Sequence, residues 1–127
     1  MHDTVSFTFE CDCTAPGQVR EALRTLGGVR DDALLLASEL VSWAVLEGEC
    51  EPRSELQVIV EPVVSGARIT VRCPDPNVVR TLVGGCPAAG LEGLRLSIIQ
   101  AIATRWGIER EPHLRVWAEV SIWVGAA

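Results

Sequence analysis

The chain has 127 residues, 48% of them hydrophobic and 22% charged, which predicts one domain over 1–127 with a real core and excludes a disordered chain. Seventeen acidic side chains against eleven basic ones give a net charge of -6, and every basic residue is arginine, scattered from Arg20 to Arg115 without a cluster. That pattern excludes a GxxxxGK phosphate loop and a Schiff-base lysine, and it argues against nucleic acid as a partner. No apolar run approaches the roughly 20 residues of a membrane span, and no basic region followed by an apolar core reads as a secretion signal, so no membrane contact and a cytoplasmic location are expected.

Residues 5–11 alternate, with Val5, Phe7, Phe9 and Cys11 on one face and Ser6, Thr8 and Glu10 on the other, the pattern of a half-buried strand. Thr14 and Pro16 then open a helix whose stripe is Val19, Ala22, Leu23 and Leu26, with Gly27 and Gly28 as its stop. Asp31 or Asp32 is expected to cap a second helix running to about Glu47. Its apolar residues (among them Leu34, Leu36, Leu40, Val41 and Val45) are too many for one narrow stripe, so it must be buried on most of its circumference.

Residues 55–63 and 67–73 read as a hairpin about Ser65-Gly66, the second strand alternating Ile69, Val71 and Cys73 with Arg68, Thr70 and Arg72. Residues 74–90 hold three of the seven prolines and three glycines without a sustained period, which reads as a functional loop. A third helix is expected over about 91–105, with Leu94, Ile98, Ile99 and Ile102 inward, Arg105 suiting its dipole and Gly107 stopping it. A strand at 106–111, a turn at 111–113 and a long strand at 114–124 close the chain. In that last strand Leu114, Val116, Ala118 and Val120 alternate with Arg115, Trp117, Glu119 and, further on, Trp123. The two tryptophans on one face suggest an interface.

The order β-α-α-β-β-loop-α-β-β, with hairpin-joined strands each showing one apolar face, predicts an α/β two-layer sandwich. Its sheet is mostly antiparallel and covered on one face by three helices. Five cysteines, an odd number without an export signal, favour reduced and mostly buried thiols. Cys11-Asp12-Cys13 lacks the further ligands that a zinc site needs, so no metal is expected.

The stretches ASELVSWAVLEG (37–48), GLEGLRLSIIQAIATRWGIE (90–109) and RVWAEV (115–120), taken with the strand order, resemble the GHKL superfamily of histidine-kinase-like ATPases. Within it they are most similar to the actinobacterial branch of anti-sigma-factor serine kinases. The resemblance spans nearly the whole chain and implies a Bergerat-type fold, with 74–90 as the lid over an ATP site. In such proteins a Glu, followed one helical turn later by a magnesium-binding Asn, forms the first box. Here Glu39 holds the base position, but the Asn position is Trp43, whose indole offers a donor and no acceptor. The adenine-binding Asp falls on Cys73, and Asp75, two residues on, substitutes only if the register slips around Pro74 and Pro76. The glycine-rich turn is half kept as Gly90 and Gly93 around Leu91 and Glu92, and a Thr expected near the phosphates is Arg115.

Each of these changes disfavours Mg-ATP. The resemblance therefore implies a regulatory, non-enzymatic protein-binding module that keeps an anti-sigma-like surface, needs no cofactor and retains Glu39 as a remnant base. The implied partners are a sigma factor or an anti-sigma-antagonist-like protein, and a second copy of the chain in a homodimer. The alternative is an ATP- and Mg-dependent serine/threonine kinase with atypical site residues. A third reading is a reshaped pocket that takes another small molecule.

Overall fold

The computed structural model describes residues 4–46, 55–64, 66–73, 92–109 and 114–121, with backbone alone for 46 and 92–96. The loop at 74–90, with Asp75, Gly84, Gly85 and Gly90, lies outside the described residues, as do Trp123, Glu47 and the turn at 111–113. The elements are β1 (Val5–Glu10), α1 (Ala15–Arg24), α2 (Asp31–Leu46), β2 (Glu55–Val63), β3 (Gly66–Arg72), α3 (Glu92–Ile102), β4 (Arg105–Glu109) and β5 (Arg115–Val120).

The strands form one sheet in the order β1-β2-β3-β5-β4, every pairing antiparallel. Because successive side chains alternate across a strand, the register sorts them cleanly. Val5, Phe7 and Phe9 stand opposite Val60, Val58 and Leu56, and Ile69 and Val71 opposite Ala118 and Val116, all on one face. Trp106 and Ile108 of β4 extend that apolar face beside Ala118 and Val116. The three helices cover it: α1 packs on β1, α2 on β3 and β5, and α3 on β4, with α2 between the other two. The expected α/β two-layer architecture is present.

The central helix α2 is buried nearly all round, with Ala33, Leu36, Ala37, Leu40 and Val41 fully inaccessible and Leu35 protruding. Each of the Leu and Val side chains contributes about 1.5–3 kcal/mol by leaving water. Asp31 and Asp32 do not cap it from outside. They occupy its first turn, where their charge complements the helix dipole, and Asp32 pairs with Arg30 at 3.3 Å. At the start of α1, Thr14 makes no side-chain cap. Asp12 Oδ1 instead accepts from the Thr14 backbone N–H at 2.8 Å, holding the turn that leads into Pro16.

Three further expectations are corrected. Leu26 is 39% exposed, because α1 ends at Arg24 and the following turn carries Leu26 away from the sheet before Gly27 and Gly28 reverse the chain at φ 77° and 73°. Arg105 and Gly107 do not terminate α3. The helix stops at Ile102, and both residues belong to β4, where Gly107 stands opposite Trp117. The preference for reduced thiols does not hold at Cys13, which is disulfide-bonded, while Cys11 and Cys73 are buried thiols.

The β2–β3 hairpin closes with Val63 opposite Gly66. Gly66 has φ 153°, and a Cβ there would collide with Val120 O and lie 2.8 Å from Ser121 O. Only glycine lets β5 approach so closely. Gly66→Ala is expected to cost about 2 kcal/mol or more, measured as a lowered midpoint in urea unfolding, and an unchanged midpoint would refute the close approach.

Candidate functional site

The positions singled out by the sequence separate into two places. Glu39 and Trp43 lie one turn apart on α2 and therefore share a face. Cys73 follows β3, 5% exposed, with its backbone N–H donating to Leu114 O at 3.0 Å, so β3 and β5 stay joined beyond the end of the ladder. Trp43 and Cys73 belong to the same hydrophobic core cluster, together with Leu114 and Val116. Gly93 lies in the first turn of α3, which packs against α2.

Trp43 is a core side chain, 2% exposed. Its Nε1–H is buried and has no hydrogen-bond partner among the described residues. An orphaned donor of this kind costs about 1–3 kcal/mol, so the indole is held by its apolar ring against the cost of its polar edge. Glu39 is half-buried beside it. Chemically this cluster offers one carboxylate, one thiol and one indole donor, and no set of oxygens for a hard cation. Among the described residues, no three His, Cys, Asp or Glu side chains gather as a metal site.

Arg115 does not join this group. The pleat puts it on the opposite, open face of the sheet, where it stands between Arg72 and Glu109. The open face has its own organisation, centred on Trp117. The Arg68 and Arg105 guanidinium carbons lie 5.0 and 5.6 Å from the Trp117 ring centroid, in cation–π range. Glu119, 7% exposed, accepts from Arg68 Nε at 2.9 Å and Nη2 at 2.6 Å and faces Arg105 Nη1 at 3.8 Å. Its backbone carbonyl accepts from the Thr104 backbone N–H at 2.8 Å, tying the α3–β4 connection to β5.

Gly107 makes room for this arrangement, since a Cβ there would sit 2.9 Å from Trp117 Nε1. The sequence placed Arg68 and Arg72 on one strand face and Arg115, Trp117 and Glu119 on another. Arg105 escaped because it was assigned to a helix end. The signal that could have found it is the strand alternation itself, Trp106 and Ile108 inward against Arg105 and Glu109 outward.

No family model matches the chain, and no curated protein is significantly similar to it. No helix among the described residues is long and apolar enough to cross a membrane.

Two stability tests follow from the two clusters. Trp43→Ala is expected to cost about 3–5 kcal/mol by cavity formation. Trp43→Phe removes the orphaned donor along with part of the ring, and is expected to cost less than about 1.5 kcal/mol in the same urea titration. Equal losses would mean that the indole N–H is satisfied. Glu119→Gln leaves two arginines facing each other and is expected to cost about 1–2 kcal/mol in low salt. That difference should narrow at about 1 M NaCl, where the screening length falls to about 3 Å.

Proposed function

We propose that the chain is a regulatory protein-binding module of the GHKL kind, similar to an anti-sigma factor but without Mg-ATP binding or kinase activity. The five-stranded antiparallel sheet under three helices is compatible with a Bergerat-type fold. The observation that carries the reading is Trp43: the residue at the metal-ligand position is a 2% exposed core indole with no acceptor to offer. Cys73, at the adenine-binding position, is a buried thiol in the same core, a weak acceptor in place of a carboxylate. Glu39 is then a remnant, because a base without a bound phosphate within reach has nothing to activate.

What remains for such a domain is its surface. Its partners in this reading are a sigma factor or an anti-sigma-antagonist-like protein and a second copy of itself, in the cytoplasm, with no nucleic acid and no cofactor. The acidic balance, with a net charge of -6, favours protein partners that present a basic face.

A thermal-unfolding titration with Mg-ATP tests the loss of the nucleotide site. A ligand at 100 times its Kd would add about 2.7 kcal/mol and raise the midpoint by about 4–8 °C, so an unchanged midpoint at millimolar ATP is the expected result. A magnesium-dependent rise would overturn the reading in favour of the kinase alternative. Titration against purified sigma factors and antagonist proteins from the same organism tests the partner, and failure to bind any of them would overturn that half.

A further inference from the structure

The open face of the sheet is electrically divided. Among the described residues its β1–β2 half carries Glu10, Glu55 and Glu61 and no cation, whereas the half formed by β3, β5 and β4 carries four arginines against Glu109 and Glu119. Two cross-strand neighbours are of like charge: Glu10 stands opposite Glu55, and Arg72 opposite Arg115. Such pairs are destabilising within a sheet. The other charges find counterparts nearby. Glu61 stands opposite Arg68, and Glu119 neutralises Arg68 and faces Arg105. Among the described residues Arg115 reaches Glu109 only at 3.8 Å and keeps a buried Nε without a partner, and Arg72 has no acidic partner. The face therefore has a negative pole and a positive pole, each repelling itself.

We propose that this face binds a second copy of the chain, with the Glu10–Glu55 pole of each protomer seated on the Arg72–Arg115 pole of the other. The proposal rests on the homodimer of the preceding reading and names its surface. A twofold axis lying between two facing sheets exchanges the poles, so one isologous contact satisfies both like-charge pairs twice over. No foreign acidic segment is needed, because the complement of the positive pole is on the same face. Five strands at about 4.8 Å spacing and six residues at about 3.3 Å rise make a face of roughly 24 by 20 Å, and covering it on two protomers reaches the ~1,000 Å² of a specific interface. Half-buried Ile59 and Trp117 add apolar contact beside the poles. Each copy is acidic overall, but the screening length of about 8 Å at physiological ionic strength leaves the contact pairs in control.

The test is sedimentation velocity on the wild-type chain and two double charge reversals, Arg72→Glu/Arg115→Glu and Glu10→Arg/Glu55→Arg. Each reversal exchanges one like-charge pair for another, Arg115→Glu in addition setting a carboxylate opposite Glu109, and circular dichroism checks the fold. The wild type is expected to dimerise, each variant alone to associate at least ~10-fold more weakly, and an equimolar mixture of the two to regain a heterodimer. Should either reversal fail to fold, the pairs Arg72→Gln/Arg115→Gln and Glu10→Gln/Glu55→Gln replace them. Those relieve the like-charge repulsion, so they are expected to fold as the wild type does while weakening the dimer by ~10-fold or more. Variants that still dimerise like the wild type overturn the pole pairing and leave the homodimer standing. A mixture that stays monomeric overturns the pairing as well. A monomeric wild type overturns both pairing and homodimer, and the Mg-ATP titration judges the lost nucleotide site independently.

Discussion

The burial of α2 is the constraint on which the rest of this structure depends. A helix apolar on nearly its whole circumference cannot lie on a surface, and this one is enclosed by β3 and β5 beneath it and by α1 and α3 beside it. The sheet's inner face stays dry only because α2 crosses its centre. The flanking helix α1 and the edge strand β1 then need to be apolar on one side alone, and β1 shows the regular alternation of half-buried and exposed residues that this allows. The same enclosure decides the chemistry at Glu39 and Trp43. A helix with core on almost every side has little room for a solvated ion site, and an indole at that position closes the space with ring area while its N–H finds no partner among the described residues.

Polar organisation has moved to the other side of the sheet. Glu119 is the centre of that side, because its carboxylate serves Arg68 and Arg105 while its backbone holds Thr104. One residue thus couples the orientation of the cations around Trp117 to the point where the chain leaves α3 and enters β4. Thr70, directly opposite Trp117, is buried to 8% exposure, as Glu119 is to 7%, on a face whose other residues are half-buried or exposed. The centre of the open face is therefore drier than its charged rim.

Much of the fold is legible in the residues. Period-two alternation identifies β1, β3 and β5, a crowded apolar pattern identifies α2, and hairpin spacing gives the antiparallel order of β2 and β3. The errors cluster where a local cue has two meanings. A glycine after an apolar helix commonly marks its end, but Gly107 is in a strand because a neighbouring tryptophan needs the space of a missing side chain. Leu26 fits the helical stripe by spacing and still faces water, since α1 stops one residue after its last core contact at Leu23. Thr14 is a favoured capping residue by type, yet Asp12 provides the oxygen at that turn. At Arg115 the alternation of the strand placed the side chain with Trp117 and Glu119, whereas the family resemblance placed it near the phosphates. The pleat follows the alternation.

What the sequence determined by itself is local: which segments are strands or helices, which face of each is apolar, and that residue 43 puts an indole one helical turn after Glu39. These follow from side-chain type and from the 3.6- and 2-residue periods, which a segment carries without its neighbours. Only the tertiary structure decided which strands lie together and in what register. It therefore also decided that Glu10 meets Glu55, that Arg72 meets Arg115, and that Glu119 sits between two arginines. Those partners are distant in the chain and are brought side by side by the packing of the sheet against α2. No local period encodes that juxtaposition, because it is fixed by how the apolar faces of all the elements are buried at once.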